Sequence, residues 1–193
     1  MNYGKYKNTC NASWQCLIDY NINSLPVTVT DIINVSDNIN LVKNSCVKIL
    51  QDGMNGITIV NDNNFVIIYR DTESPRKCRF TIAHELGHIA LGHLTEDSAA
   101  YRTFAIQNDT ESSANVFARD LLAPACVLHE LQALTASEIS QLCNISLKAA
   151  TYRADRMKEL EHRNAFYMNP LEKQVKKQFK NFINEHKPFH IGM

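Results

Sequence analysis

The spacing of apolar side chains predicts helices at the start of the chain. Residues 13–20 carry Trp, Leu and Ile at intervals that place them on one helical face. A second short helix is predicted after Pro26, with Thr30 or Asp31 as its N-terminal cap. The pattern therefore indicates a chain that begins with short amphipathic helices.

The segments that follow change from helical spacing to the composition of strands. Residues 53–60 and 65–69 are rich in β-branched and aromatic side chains, and the polar residues 61–64 separate them. This arrangement predicts a β-hairpin. From about Val127 onward the helical spacing returns and persists to the end of the chain. Strands are thus expected only in the first part of the chain.

The segment after the hairpin combines apolar character with ionisable side chains. Residues 79–91 are apolar nearly all the way round a helix, which predicts that this helix is buried. The same segment contains His84, Glu85 and His88. Burying two imidazoles and a carboxylate is unfavourable unless they have partners. A metal ion would be a suitable partner.

The spacing of the two histidines fits a metal site. Residues four apart on an α-helix differ in direction by about 40°, so His84 and His88 project side by side and can occupy two corners of a tetrahedral zinc site. Glu85 lies beside the first histidine, where a carboxylate can take a proton from a water that the metal holds. His-Glu-x-x-His is for this reason a signature of metalloproteases. The simpler interpretation is a surface helix with two unrelated histidines, and the apolar flanks argue against it.

A catalytic zinc site needs a third protein ligand and one open position. Residues 110–122 predict a second helix with one apolar face, flanked by Glu111 and Asn115 and followed by Pro124. Packing of this helix on the first could deliver Glu111 to the metal. Glu111 could instead be a carboxylate that stabilises the helix start. Other acidic residues remain rival ligands: Glu96, Asp97, Asp109 and Asp120.

His93 is a further histidine close to the motif. It lies nine residues after His84, which is about 180° around a continuous helix. Its side chain should therefore point away from the metal. We interpret His93 as a helix-end residue beside Gly92 and not as a ligand.

Two blocks of sequence resemble the ImmA/IrrE family of metallopeptidases. The family pattern RFTxAHELGHxxLGH is followed by ExxANxFAxxLLxP, and this chain has both blocks in that order. The resemblance covers roughly residues 20–160. The residues that carry it are Arg79-Phe80-Thr81-Ile82-Ala83-His84-Glu85-Leu86-Gly87-His88, Gly92-His93, Glu111-Ser-Ser-Ala114-Asn115-Val-Phe117-Ala118, Leu121-Leu122 and Pro124.

The resemblance implies roles and an architecture. Glu111 matches the Glu of ExxAN and would be the third zinc ligand, and Glu85 would be the general base. From the arrangement of these residues, Asn115 is expected to support Glu111 from outside the ligand set. The expected fold class is α+β, a mostly helical, zincin-like metallopeptidase domain with a small antiparallel sheet before the His-Glu-x-x-His helix. We expect this domain at residues 1–126, with a C-terminal helical, helix-turn-helix-like region packed on it at residues 127–193.

The resemblance also implies a substrate class. Family members resemble regulators that cleave helix-turn-helix repressors, often within mobile elements. The first hypothesis is therefore a gluzincin-like zinc endopeptidase that cleaves a DNA-binding repressor at a specific site. The second is an antirepressor, or a DNA- or protein-binding module, that acts by association and has a structural or idle metal site. Glu85 discriminates between them, because an idle site needs no base. The ligand set suits zinc, and manganese or iron could also occupy it.

The C-terminal part contains a second motif at residues 135–153. Its spacing is that of a helix-turn-helix, with Ser137 and Ser146 as caps and Asn144 in the turn. The segment either contacts DNA or is a helical hairpin packed on the catalytic domain. The zero net charge favours the packed hairpin, so direct nucleic-acid binding is not expected. The basic residues that would face DNA are Lys148, Arg153, Arg156 and Lys158.

Composition narrows the cellular setting. The 193 residues include 20 Lys and Arg and 20 Asp and Glu, so the formal net charge is zero. No apolar run reaches the roughly 18 residues of a membrane span, and the N-terminus lacks a signal-peptide pattern. The six cysteines form no Cys-x-x-Cys pair and are interpreted mostly as small buried thiols. These features predict a cytoplasmic protein with no membrane partner.

Two details of substrate handling are also hypotheses from the sequence. An extended substrate is expected to join the edge of the hairpin near residues 65–69, because this strand precedes the metal-binding helix. The residue that assists the metal at the oxyanion has only candidates, which are Tyr69, Tyr101 and His129.

Overall fold

The structure is a computed structural model that describes residues 1–94 and 108–187. Its contacts divide the chain into two compact units. The first unit contains Met1–Ser13 and Thr28–Ala118, and the second contains Trp14–Val27 and Arg119–Met193. The expected division into domains at residues 126 and 127 stays a prediction, since a compact unit need not be a domain that folds alone.

The chain begins with helices, as the apolar pattern predicts. The first helix is longer than residues 13–20, and the second starts after Thr28, whose side chain makes no capping hydrogen bond. The elements as far as the metal-binding motif are α1 (Tyr3–Asp19), α2 (Val29–Asn34), β1 (Ile39–Lys43), α3 (Asn44–Val47), β2 (Gly56–Asn61), β3 (Asn64–Tyr69) and α4 (Pro75–Ala90), and α5 (Asn108–Leu122) follows.

Three strands form a mixed sheet within the described residues, in the order β1-β3-β2. The predicted hairpin is confirmed: β2 pairs antiparallel with β3, and the connecting residues Asp62 and Asn63 have φ of +46° and +63°. Positive φ at both central residues is typical of the tight turns that suit hairpin twist. The α+β class is confirmed, but β1 was not predicted and pairs parallel with β3, so the sheet is mixed and not purely antiparallel.

The position of β3 corrects the expected substrate edge. Residues 65–69 form most of β3, which is hydrogen-bonded to β1 on one side and to β2 on the other. A central strand has no free backbone groups to offer a peptide. The hypothesis that substrate joins the sheet along residues 65–69 is therefore wrong.

Residues at both ends of α4 explain where this helix begins and ends. The Ser74 side chain accepts a hydrogen bond from the Lys77 backbone N–H, and Pro75 occupies the first turn, where no backbone donor is needed. The helix ends at Ala90, and Gly92 follows with φ of +64°. Its inner face packs on β2 and β3. The buried residues of α4 are Thr81, Ile82, Ala83, Glu85, Leu86, Gly87 and His88.

The second unit is helical, as predicted from about Val127 onward. Within it, Gln178 donates hydrogen bonds from its side chain to the backbone carbonyls of Leu17 and Ile22. These bonds tie the C-terminal helices to the segment of residues 14–27. The C-terminal elements are α6 (Ala125–Glu130), α7 (Ala136–Cys143), α8 (Leu147–His162), α9 (Pro170–Gln178) and α10 (Lys180–His186).

Helices α7 and α8 form the helix-turn-helix-like pair. Asn144 makes the turn with φ of +48°, and the Ser146 side chain caps α8, both as expected. The cap of α7 is Thr135 and not Ser137, because Thr135 and Glu138 form a reciprocal capping box.

The charges of α8 differ from the sequence interpretation. Arg153 is only 1% exposed, and its Nη1 lies 2.7 Å from the Asp120 carboxylate, so it adds no charge to an exposed face. Arg156 and Lys158 form ion pairs with acidic residues of the same helix, Glu159 and Asp155. These pairings weaken the case for DNA contact through α8.

Two sequence expectations concern the cellular setting. Among the described residues, no helix is both long enough and apolar enough to cross a bilayer. The six cysteines are free thiols, and four of them are buried: Cys10, Cys16, Cys126 and Cys143.

Candidate metal centre

Three side chains from two helices of the first unit converge at one point. The Nε2 atoms of His84 and His88 are 3.1 Å apart. The Glu111 carboxylate lies 3.2 Å from the first of these atoms and 3.3 Å from the second. One ligand atom from each residue can be chosen so that all three lie within 4.8 Å of one another. The sequence predicted these three residues as ligands, and the structure brings them together.

The separations match the size of a small metal ion. Ligand atoms placed at about 2.0–2.2 Å from a tetrahedral zinc lie about 3.3–3.6 Å from one another. The observed spacings of 3.1, 3.2 and 3.3 Å are close to that range. Two imidazoles and a carboxylate are also ligands that zinc accepts. The residues present therefore fit a divalent metal of the transition series.

Close packing of α5 on α4 delivers Glu111 to the histidines. Phe117 is fully buried, and its ring lies against Gly87 of α4. The start of α5 is fixed as well, since Asp109 pairs with the N-terminal amine of Met1 at 3.1 Å and with Lys5 at 3.7 Å. Glu111 occupies the first turn of α5, so the helix start and the packing contact together define its position.

The electrostatics of the cluster favour an ionised carboxylate. Hydrogen bonds from His84 and then His88 hold the pKa of Glu111 well below its ordinary value, although partial burial acts in the opposite direction. The Glu111 side chain is 47% exposed, whereas those of His84 and His88 are 15% and 3% exposed. Metal ligands must be deprotonated to bind. Glu111 is therefore in the required form at neutral pH, and it lies on the open side of the cluster.

Asn115 orients one of the histidines. Its Oδ1 atom lies 3.1 Å from Nδ1 of His84. An amide oxygen can only accept, so His84 donates to Asn115 from Nδ1 when a metal takes the lone pair of Nε2. The support of Asn115 for Glu111 stays a prediction, and the contact that the structure shows for Asn115 is the one with His84.

His93 contacts one of the candidate ligands. Among the described residues it does not belong to the group that could hold a metal, in line with its interpretation as a helix-end residue and not a ligand. Its Nδ1 nevertheless lies 3.2 Å from Nδ1 of His88, whereas a continuous helix would have turned it about 180° away. In the structure α4 ends at Ala90, and the left-handed conformation of Gly92 folds the chain back toward His88. Gly92 was the signal in the sequence that could have revealed this turn.

Glu85 is held against the sheet. It is 4% exposed, and its Oε2 accepts a hydrogen bond of 2.7 Å from the Thr58 hydroxyl of β2. Thr58 is itself fully buried. Strand β2 approaches α4 closely there, since a Cβ on Gly56 would lie 2.5 Å from a methyl carbon of Thr81. Thr58 was not identified from the sequence, because a threonine within a strand does not by itself indicate a functional role.

The rival acidic ligands do not join the cluster within the described residues. Asp109 is engaged by the N-terminus, and Asp120 is engaged by Arg153 in the second unit. Glu96 and Asp97 lie outside the described residues.

The oxyanion candidates have different surroundings. Tyr69 lines a cavity of about 380 Å³ beside the start of α4. His129 belongs to the second unit, where its ring stacks on Phe166 and its Nδ1 lies 2.5 Å from the Glu161 carboxylate. Tyr101 lies outside the described residues.

Comparison with protein families agrees with this arrangement. The family model Peptidase_M78, described as the IrrE N-terminal-like domain, matches residues 50–155, more than half of the chain. The chain belongs to this family. The resemblance inferred from the two motif blocks is thereby confirmed, and the chain contains a metallopeptidase-type domain. The matched residues include β2, β3, α4 and α5, which carry the whole three-residue cluster. No curated protein matches the sequence significantly.

Proposed function

We propose that this protein is a zinc-dependent endopeptidase that cleaves a helix-turn-helix transcriptional repressor at a specific site. In this proposal His84, His88 and Glu111 hold the zinc, and Glu85 is the general base. The observation that carries it is the convergence of three side chains, with the Nε2 atoms of His84 and His88 3.1 Å apart and each 3.2–3.3 Å from an oxygen of Glu111. The helix that carries the two histidines also carries the buried Glu85. Three protein ligands leave the fourth position of a tetrahedral metal open for water.

In this proposal Glu85 transfers the proton during hydrolysis. Zinc bound by this cluster would lower the pKa of its water to about 7 and polarise the substrate carbonyl. Glu85 would accept a proton from the attacking water as the new C–O bond forms. It would then pass this proton to the departing nitrogen as the C–N bond breaks. Acid–base assistance of this kind contributes about 10²–10⁴-fold in rate.

Thr58 would support this role of Glu85. The hydroxyl donates to one carboxylate oxygen, Oε2, and thereby fixes the orientation of the side chain. Hydrogen bonds to a charged group are stronger than neutral ones. Thr58 is thus a positioning residue, because it acts on the substrate only through Glu85.

The sheet offers a place for an extended substrate next to this centre. The edge of β2 that faces away from β3 pairs with no strand among the described residues. Because β2 also carries Thr58, a peptide added along this edge would run close to Glu85. Backbone pairing of this kind gives affinity, and side-chain pockets give specificity. We therefore move the proposed docking edge from residues 65–69 to β2.

The repressor substrate and the cytoplasmic setting rest on the family. Membership of a peptidase family supports a protein substrate, and a transcriptional repressor would be met in the cytoplasm. An association-based antirepressor with an idle metal site is the alternative function. The two differ in one consequence, because only the peptidase requires Glu85 for its effect.

A peptide-profiling experiment tests the proposal. Zinc-loaded protein is incubated with peptides from a bacterial proteome, and new termini are identified by mass spectrometry. The proposal expects cleavage that is lost in Glu85→Gln, which keeps the size of the side chain and an oxygen for Thr58. It also expects loss of cleavage after chelation and recovery on adding zinc. Equal cleavage by wild type and Glu85→Gln would contradict the proposed base, and absence of cleavage by zinc-loaded wild type would favour the association model.

A further inference from the structure

His93 makes two contacts with one of the candidate ligands. Its side-chain Nδ1 lies 3.2 Å from Nδ1 of His88, and its backbone N–H donates to the His88 carbonyl at 2.9 Å. The backbone bond fixes the Cα position of His93 relative to His88. The contact between the two imidazoles therefore follows from the backbone fold at the end of α4.

The turn that creates this geometry is built from the end of α4. The backbone N–H of Leu91 donates to the carbonyl of Gly87, and that of Gly92 donates to Ile89. Gly92 then adopts a φ of +64°, a conformation that side chains with a Cβ rarely adopt. The chain reverses at this point, and residue 93 returns to the level of His88, one turn back along the helix.

Counting protons gives the contact a direction. Two neutral imidazoles can share a hydrogen bond between their Nδ1 atoms only if one ring donates and the other accepts. His88 faces His84 and Glu111 with its Nε2, at 3.1 and 3.3 Å. A metal at this position needs the Nε2 lone pair, so the proton of His88 must reside on Nδ1. His88 therefore donates, and His93 accepts with its Nδ1 and carries its own proton on Nε2.

We propose that His93 is a positioning residue that fixes the tautomer and the ring orientation of His88. This inference rests on the proposed metal site, because a metal that takes the Nε2 lone pair of His88 leaves its proton on Nδ1. The arrangement parallels that of Asn115, whose oxygen accepts from Nδ1 of His84. Each of the two histidines thus has one acceptor behind it, Asn115 from α5 and His93 from the turn after α4.

The two acceptors restrain their histidines in different environments. The His88 side chain is 3% exposed, and that of His84 is 15% exposed. Water can replace a lost acceptor more readily at the more exposed ring. Removal of the His93 acceptor should therefore have a larger effect on its histidine than removal of the Asn115 acceptor has on His84.

Two variants of similar size distinguish the effect of the hydrogen-bond acceptor of His93 from the effect of its side-chain volume. His93→Asn places an amide oxygen where Nδ1 stands, whereas His93→Leu has a similar branched shape and no acceptor. The first readout is the nitrogen-15 NMR spectrum of the histidine side chains in zinc-loaded protein, in which the Nδ1–H signal of His88 reports its hydrogen bond. We expect the Nδ1 proton of His88 to be protected from exchange with water in wild type and in His93→Asn, and to exchange faster in His93→Leu.

The second readout is zinc affinity, measured by competition with a chromophoric chelator. Loss of an outer hydrogen-bond partner of a metal ligand typically costs about 10–100-fold in affinity. We expect a loss of this size for His93→Leu, a smaller loss for Asn115→Leu, and near wild-type affinity for His93→Asn. Far-ultraviolet circular dichroism verifies folding, and His93→Ala replaces His93→Leu if the latter does not fold.

The outcomes distinguish this inference from the proposed function. Unchanged protection of the His88 Nδ1 proton and unchanged zinc affinity in His93→Leu would overturn the role of His93 while the zinc site stands. Equal loss in His93→Leu and His93→Asn would also overturn it, because the size of the side chain and not its acceptor would then matter. Absence of zinc binding by wild type would overturn the proposed zinc site and, with it, the role of His93.

Discussion

Gly87 and Phe117 lie so close together that no side chain fits between them. A Cβ on residue 87 would lie 2.9 Å from one ring carbon of Phe117 and 3.2 Å from two further carbons of that side chain. Gly87 lies between the two candidate histidine ligands in sequence, and Phe117 is on the helix that carries Glu111. This contact therefore sets the distance between the two parts of the metal centre.

Gly87→Ala should weaken zinc binding through this contact. Alanine favours the helix by up to about 1 kcal/mol over glycine, but the added methyl group must displace the Phe117 ring or separate α4 from α5. Overpacking of this kind costs about 1–3 kcal/mol. The net cost is up to about 2 kcal/mol, so we expect lower thermal stability without metal and zinc affinity weaker by up to roughly 30-fold, since about 1.4 kcal/mol corresponds to tenfold. Calorimetry and chelator competition measure the two effects.

A second substitution provides the control for Gly87→Ala. Phe117→Ala removes the two ring carbons that the new methyl group would meet and leaves only Cβ, so the double variant should lose less zinc affinity than the two single variants together. Additive losses in the double variant would show that the two residues do not act through their contact.

Thr58→Val should impair hydrolysis while leaving zinc bound. Valine keeps the shape of threonine but removes the hydroxyl that donates to Glu85. A hydrogen bond to a charged group contributes about 1.5–3 kcal/mol, so the turnover rate should fall roughly 10- to 100-fold. Kinetics on a peptide identified by the profiling experiment would measure this, with Thr58→Ser as the matched control that keeps a hydroxyl. Full turnover in Thr58→Val with normal zinc content would refute the positioning role.

Arg153→Leu should destabilise the second unit and leave the metal centre intact. The guanidinium is buried and binds both the Asp120 carboxylate at 2.7 Å and the Ala123 carbonyl at 2.6 Å. Breaking a buried ion pair by removing one partner costs about 3–5 kcal/mol. Arg119 also contacts Asp120 at 3.0 Å, so we expect the lower end of this range in urea unfolding.

The double variant Asp120→Leu, Arg153→Leu tests the reason for that loss. Replacing both charges by apolar side chains removes the unpaired buried carboxylate, so the double variant should be more stable than Arg153→Leu alone. If Arg153→Leu unfolds at the wild-type urea concentration, the buried pair contributes nothing to stability.

Glu130 should make stability depend on pH in acid. Partial burial opposes its ionisation, but hydrogen bonds from Lys176, Tyr167 and Lys187 outweigh this effect and lower the pKa of Glu130 to about 2. An ordinary glutamate in the unfolded chain has a pKa of about 4.3. The stabilisation is therefore complete above about pH 5 and is lost as pH falls through about 2.

Comparison with Glu130→Gln isolates this contribution. Urea unfolding at pH 7 should show wild type as the more stable protein, and the difference should shrink at pH 3. Because other carboxylates titrate in both proteins, only the difference between the two is informative. A difference that stays constant between pH 7 and pH 3 would contradict the depressed pKa.

The parts of the metal centre and fold that depend on residues close in sequence could be predicted from the sequence. The His84 and His88 spacing follows from helical geometry, and the Glu111 helix follows from its apolar face. Asn61-Asp62-Asn63-Asn64 marked the hairpin, whose turn residues adopt positive φ. These features required no knowledge of which elements pack together.

Features that depend on distant parts of the chain were missed. Thr58 meets Glu85 only because β2 packs on α4, and β1 joins the sheet only through pairing with β3 across 26 residues. Arg153 looked like a surface charge because its partner, Asp120, lies 33 residues away. The contact of His93 with His88 was missed for a local reason, since its direction was calculated for a helix that continues past Gly92.

The most direct test of the central claim is the metal content of the purified protein. Wild type and Glu111→Ala are purified without added metal and examined by inductively coupled plasma mass spectrometry. The account predicts about one zinc per wild-type chain, as in three-ligand catalytic sites, and loss of that zinc in Glu111→Ala. No metal in wild type even after addition of zinc, or full zinc retained in Glu111→Ala, would contradict it.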